Sequence, residues 1–140
     1  MIKKDYLPGH KEIIVYQDDT MFRMNTDTEV LGNFLNIHKN DTVLDMGTNQ
    51  GALMLYASLF NPKKIIGLEI NKEALKLAKM NMEENNIKNY ELINDNIITY
   101  QNELVDVIIC NPPYFKTKED NKSLNSFKNL AKHEGDLTLE

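Results

Sequence analysis

Four short runs of apolar, partly β-branched residues recur along the chain: "DTVLDMG", "KKIIGLEI", "YELIND" and "LVDVIIC". Segments with helical apolar spacing lie between them, and this alternation limits the possible folds more than any other feature. Strands that alternate with helices form βαβ units, whose right-handed crossovers build a parallel sheet. "GALMLYASLF" reads as an apolar helix ended by Asn61-Pro62. Asn71 caps a helix with Ala74, Leu75, Ala78 and Met82 on one side. Upstream, "EIIVYQ" and "MFRM" read as two strands around the turn "QDDT". Thr26 then opens a capping box with Glu29, and Val30, Leu31, Phe34 and Leu35 share one helix face. Beyond Phe115 a loop and a polar helix around Ser126 to Lys132 are expected.

In parallel α/β sheets ligands sit outside the C-terminal strand ends. The unusual residues of this chain fall at those ends: Asp45 with Gly47 and Gly51, then Glu69, Asp95, and Asn111 with Tyr114. The loop "LDMGTNQGAL" has the spacing D-x-G-x-x-x-G. Its glycines let the backbone turn tightly and approach a ligand. It matches neither the dinucleotide G-x-G-x-x-G pattern nor a P-loop, which needs a lysine. Asp45 beside it would repel a pyrophosphate and accept a cationic ligand. Glu69 ends the second core strand, about 20 residues past the loop, where a carboxylate suits a pair of ribose hydroxyls. Asp95 is placed to accept from an adenine amino group, although "NDN" is also good turn chemistry.

"NPPY", Asn111 to Tyr114, closes the fourth strand. Two consecutive prolines fix φ and remove two N–H donors, which stiffens the loop. The Asn111 side-chain carbonyl and the Pro112 backbone carbonyl can then both accept from one NH2 group. Tyr114 offers a flat face for stacking. Such a site grips a planar amine: an adenine amino group, a cytosine amino group or a carboxamide.

Partners and setting are bounded by composition. Cys110 is the only cysteine, which excludes internal disulfides and cysteine-rich metal sites. His10 and His38 read as surface residues, and no metal is expected. No apolar run approaches the roughly 20 residues of a membrane span, and the start "MIKKDYLPGHKE" carries no apolar signal region. A reducing cytoplasm is the setting expected from the single cysteine. The net charge of -5 argues against broad nonspecific binding to nucleic acid. Lys116, Lys118, Lys122, Lys128 and Lys132 follow the NPPY tip, mixed with acids, and read first as a solvated polar face.

Taken together, "VLDMGTNQG", "IIGLEI", "LINDNI" and "NPPY" resemble the ordered motifs of class I S-adenosylmethionine-dependent amino-methyltransferases. "MFRMNTDTEVLGNFL" before them and "NPPYF" with "AKHE" after them resemble the bacterial tRNA1(Val) adenine N6-methyltransferase family. The resemblance spans about Ile13 to Glu140. It implies a Rossmann-like fold with core strand order 3-2-1-4. It also implies methyl transfer from S-adenosylmethionine to the exocyclic N6 amine of an anticodon-loop adenine in tRNA. On this resemblance Asp45, Gly47 and Gly51 hold the methionine end of the cofactor and Glu69 the ribose. Asp95, Ile70 and Asn96 hold the adenine. Asn111 and Pro112 accept the hydrogens of the target amine, and Tyr114 stacks on the flipped base.

Two departures accompany the resemblance. Asn49 stands where the family's loop has its middle glycine; Asn tolerates the left-handed region, but its side chain narrows the approach to the cofactor. The family has a seven-stranded sheet, of which only four core strands are found here. The expectation is therefore an incomplete methyltransferase domain over 1–140: hairpin and helix in 1–40, cofactor-binding core in 41–115, polar tail in 116–140. An apolar fourth strand without an outer neighbour would favour self-association through the sheet edge. Glutamine N5-methylation of a protein is the rival within the enzymes. The stretch before Asp45 is too short for the extra helical domain such enzymes carry. A non-catalytic fragment that binds cofactor or a partner is the rival of another class.

Overall fold

A computed structural model of the chain describes residues 1–21, 23–101 and 104–112. The elements in order are β1 (Ile2–Leu7), β2 (His10–Asp18), α1 (Thr26–Phe34), β3 (Thr42–Met46), α2 (Ala52–Ser58), β4 (Lys64–Leu68), α3 (Lys72–Glu84), β5 (Tyr90–Ile93) and β6 (Val107–Cys110). The last four strands form one parallel sheet in the order β5-β4-β3-β6. This is the expected 3-2-1-4 order of the core strands.

The apolar runs are continuous because both sheet faces are covered. On one face Val43, Ile65 and Ile109 pack with Leu53, Met54 and Met82 from the helices. On the other, Leu44, Ile66 and Leu68 pack against Ile93, Ile97, Tyr100 and Val105, none of them helical. α3 starts as expected: the Asn71 side chain accepts from the Glu73 and Ala74 N–H groups. Its buried stripe is Ala74, Leu77, Ala78, Asn81 and Met82, so Leu77 takes the interior place expected for Leu75.

The N-terminal elements differ from the sequence reading. The partner of β2 is β1, antiparallel, with Lys4 opposite Tyr16. The turn is at Pro8-Gly9, where Gly9 has φ +81. Met24, from the expected second strand, lies outside any strand, and its N–H donates to Gln17 Oε1 at 2.9 Å. The cap of α1 is Asn25, not Thr26. Asn25 Oδ1 accepts from Thr28 N–H at 3.0 Å, while Thr28 Oγ1 accepts from Asn25 N–H at 3.3 Å. Asn25 is extended (φ -140, ψ -173), which leaves Thr26 inside the helix. Val30 and Phe34 are exposed, and the buried residues of α1 are Thr28 and Gly32. The helix approaches α2 through Gly32: a Cβ there would lie 2.4 Å from the Tyr56 ring. That close approach turns the glycine inward; of the four apolar residues expected on one face, Leu31 and Leu35 pack against the core and Val30 and Phe34 turn outward.

The outer edge of β2 is closed by side chains instead of a strand. Asn81 and Asn85, one helical turn apart on α3, present their amides to alternate residues of β2. Asn81 Oδ1 accepts from Tyr16 N–H at 2.7 Å and its Nδ2 donates to Tyr16 O at 3.1 Å. Asn85 repeats the pair on Ile14 at 3.0 and 2.7 Å. The hairpin is thereby held against the sheet's helical face.

Candidate active site

The parallel register brings all four C-terminal strand ends to one level: Met46 stands beside Leu68 and Cys110, and Leu68 beside Ile93. The residues just beyond them surround a cavity of about 300 Å³. Gly47, Thr48, Asn49 and Gln50 line it after β3, Glu69 and Ile70 after β4, Asp95, Asn96 and Ile97 after β5, and Asn111 with Pro112 after β6.

The loop after β3 is held from several sides. Gly47 N–H and Thr48 N–H both donate to Leu68 O, at 2.8 and 2.9 Å. Gly47 has φ +72 and nothing within 4 Å of the place a Cβ would take, so its backbone faces open space. Asn49 has φ +56, the left-handed conformation expected where a glycine was replaced. Gln50 O accepts from Asn81 Nδ2 at 2.8 Å, and Gln50 Oε1 accepts from Asp18 N–H at 2.8 Å. Gly51 is outside the cavity lining. It caps α2 with φ +88, and a Cβ there would sit 3.2 Å from Ala78 Cβ, so it serves the approach of α2 to α3.

The two acidic strand ends take different positions. Asp45 is 1% exposed and lies beneath the loop instead of lining the cavity. Its Oδ2 accepts from Thr48 Oγ1 at 2.7 Å, while Oδ1 has no hydrogen-bond partner among the described residues. Burial pushes its carboxyl up to about 7; the Thr48 hydroxyl opposes the rise and the negative Glu69 adds to it. Glu69 stands on the wall. Its Oε1 accepts from Asn49 N–H at 2.8 Å and its Oε2 from Asn71 N–H at 3.0 Å. Each oxygen keeps a second lone pair, so the anchored carboxylate can accept from a diol.

Asp95 Oδ1 accepts from Asn96 N–H at 2.7 Å and from Thr99 Oγ1 at 3.1 Å. Asn96 Oδ1 accepts from Ile98 N–H at 2.9 Å. Ile70 and Ile97 supply apolar wall beside these polar groups. Asn111 and Pro112 complete the rim, with Asn111 Nδ2 donating to Thr28 Oγ1 at 3.4 Å. Tyr114, the lysines that follow it and the polar tail lie outside the described residues.

Several lining residues escaped the sequence reading. Val15, Gln17, Met24 and Thr28 close the cavity from the hairpin and α1. The signal was Gln17, a polar residue two positions after Val15 on the inward face of β2, buried to 8% exposure. Asn94 was missed too: its Nδ2 donates to Glu69 O and Ile70 O, both at 2.9 Å, and clamps two strand ends together. Among the described residues no cluster of His, Cys, Asp and Glu could hold a metal, and no helix is long and apolar enough to cross a membrane. The open space at the Gly47 backbone and the anchored Glu69 carboxylate suit a ligand that carries a diol, while the Asp45 carboxyl lies beneath the loop, out of contact with the cavity.

Residues 37–140 match the family model described as "Methyltransferase domain". The chain is 36% identical over 122 residues to a Methanocaldococcus jannaschii protein provisionally named a protein N5-glutamine methyltransferase, covering 87% of the chain and 57% of that protein. It is 32% identical over 135 residues to the tRNA1(Val) (adenine(37)-N6)-methyltransferase of Bacteroides thetaiotaomicron, covering 93% and 56%. The chain thus spans about half the length of the curated relatives it matches. Among solved structures, M. jannaschii TYW2 in complex with AdoMet superposes with a TM-score of 0.62 at 17% identity, over 89% of the chain and 54% of that protein. The likeness is one of fold.

Proposed function

The chain belongs to the methyltransferase-domain family, and on that premise we propose that its cavity binds S-adenosylmethionine and serves methyl transfer to the exocyclic N6 amine of an adenine in tRNA. The observation that carries the reading is the meeting of two chemistries at one level of the sheet. A cavity of about 300 Å³ opens after β3, β4 and β5, and Asn111 and Pro112, assigned to the amine, border it after β6. Bound S-adenosylmethionine supplies an electrophilic methyl group on a sulfonium.

The chain's own residues bind and orient. Glu69 would accept from the ribose hydroxyls and Gly47 would let the methionine end approach its backbone, while Asp45 beneath the loop would hold Thr48 in place. Asp95, Asn96, Ile70 and Ile97 form the adenine end. Asn111 Oδ1 and Pro112 O accept the two amine hydrogens, which draws the nitrogen lone pair out of the ring. The nitrogen becomes acidic on methylation and sheds its proton to water, so positioning and electrostatics carry the rate. In this reading Tyr114 stacks on the base, 41–115 is the cofactor-binding core of the methyltransferase domain, and the setting is cytoplasmic.

A second reading, methylation of a protein glutamine, uses the same grip on a planar amide. The 36% identical M. jannaschii relative favours it. Calorimetry with S-adenosylhomocysteine tests the cofactor site: binding is expected, and Glu69→Ala should weaken it at least ~10-fold through two lost charge-assisted hydrogen bonds. No heat at millimolar ligand would remove the proposal. Tritiated methyl transfer to unmodified tRNA, against transfer to a glutamine-bearing peptide, then decides between acceptors. Binding without transfer to either would leave a cofactor-binding piece only.

A further inference from the structure

Thr28 sits at the first turn of α1, 3% exposed, where the N-terminal part of the chain meets the end of β6. Its hydroxyl has one proton and two lone pairs. The proton goes to Asn25 Oδ1 at 3.2 Å, and one lone pair takes Asn25 N–H at 3.3 Å. The remaining lone pair faces the Asn111 side chain, whose Nδ2 lies 3.4 Å away. With its proton committed to the cap, this hydroxyl is an acceptor toward Asn111. An oxygen of Asn111 in that position would compete with Asn25 Oδ1 for the one hydroxyl proton, so the arrangement that satisfies every partner turns the amide NH2 toward Thr28. Oδ1 is then on the opposite side of the amide, and no described residue donates to it.

We propose that Thr28 is a positioning residue: its cap-locked hydroxyl fixes the orientation of the Asn111 amide, so that Asn111 presents a carbonyl oxygen, not an NH2 group, to the acceptor amine. The inference rests on the methyl-transfer reading for its purpose, while its geometry stands apart from that reading. A reversed Asn111 would set donor against donor at the target nitrogen. The α1 cap is therefore part of the site through Thr28, its one buried member, which lines the cavity while Asn25 is exposed.

The test compares Thr28→Val, which keeps the shape and removes the acceptor, with Thr28→Ser, which keeps the hydroxyl. In the unsubstituted chain, one Asn111 Hδ2 proton should exchange with solvent more slowly than the other by nuclear magnetic resonance. Thr28→Val should abolish the difference, and Thr28→Ser should restore it. Turnover on unmodified tRNA should fall about 10- to 100-fold in Thr28→Val, the scale of a displaced positioning group. Affinity for S-adenosylhomocysteine should stay within about threefold, and Thr28→Ser should recover turnover. Unchanged Asn111 protons in Thr28→Val overturn the proposal. So does a parallel loss of turnover and cofactor affinity, which would make Thr28 only a wall of the cavity. If Thr28→Val does not fold, two equally fast Hδ2 protons in the unsubstituted chain overturn it. If the parent chain transfers no methyl group, the functional reading fails by itself, and the Asn111 exchange still decides the orientation.

Discussion

Asp45 carries a carboxyl where ionisation is costly: 1% exposed, one oxygen satisfied by Thr48 and the other by no described residue. Its value rises from 3.8 to about 7, with burial as the main cause. A group raised on folding contributes its stability below the unfolded value and loses it as pH climbs through the folded one. The chain should therefore lose stability between about pH 4 and 7, by at most ~1.4 kcal/mol per pH unit from this one group. Asp18 and Asp19 act oppositely and lower: their carboxyls are depressed, so their contribution is lost as pH falls below about 4. The Met1 amine is raised above 8.0, so its contribution is lost only above that range. Asp45→Asn should flatten the intermediate window. Urea denaturation should find the variant more stable than the parent at pH 7.5, with the gap closing toward pH 5. A parent stability that does not change between pH 5 and 7.5 would contradict this account of Asp45. Both strand-end carboxylates were legible in the sequence. Their division of labour was not, because it depends on loop contacts: Asn49 and Asn71 N–H groups fix Glu69 on the wall, while Thr48 ties Asp45 below.

The hairpin is held to the sheet domain by polar groups as well as by its buried Leu7, Ile13 and Val15. Asn81, fully buried, satisfies both backbone groups of Tyr16 and the carbonyl of Gln50. Truncation to alanine strands all three, and a buried group left unsatisfied costs about 1–3 kcal/mol. Asn81→Ala should then destabilise the chain by roughly 2–4 kcal/mol, and the half-buried Asn85→Ala by less, since water can replace its amide. Hydrogen exchange should localise the Asn81 effect, with Tyr16 N–H losing protection while Ile65 N–H in the core strand keeps it. Equal acceleration of both amides would mean that the hairpin and core open as one unit. This ladder explains which elements the sequence disclosed. The core strands announce themselves because burial on both faces demands unbroken apolar runs. β1, "IKKDYL", is exposed except at Leu7 and pairs with β2 along its exposed length, so it carries no alternating burial signal. The polar turn "QDDT" instead looked like a hairpin tip; its Asp18 and Asp19 bind the N-terminal amine at 3.3 and 2.9 Å. An asparagine that imitates a strand edge looks, in sequence, like any polar helix residue.

At the scale of the whole molecule, the two faces of the sheet are unequally covered. Three helices and the hairpin share the α2 side, whereas the other side is met, among the described residues, by the segment carrying Ile97, Tyr100 and Val105. β6 pairs with β3 on one side and with no described strand on the other. Ile108, in the middle of β6, is 59% exposed, and Leu104 just before it is 98% exposed. An apolar strand with an open edge is a template for pairing with another chain, and charged side chains are the usual protection against it. The net charge of -5 opposes association only weakly, because repulsion between exposed charges is screened over about 8–10 Å at physiological salt. The 140-residue chain should therefore show mass growing with concentration in multi-angle light scattering, more strongly as salt is added. Ile108→Lys should suppress that growth. Because Ile108 is exposed, the same change should alter stability by no more than about 0.5 kcal/mol. Association that survives Ile108→Lys would locate the contact elsewhere, for instance at Val30 and Phe34 on the outer side of α1. A chain that stays monomeric at high concentration and high salt, with slow exchange at the Val107 to Cys110 amides, would contradict the prediction: the edge of β6 would then be satisfied within a single molecule.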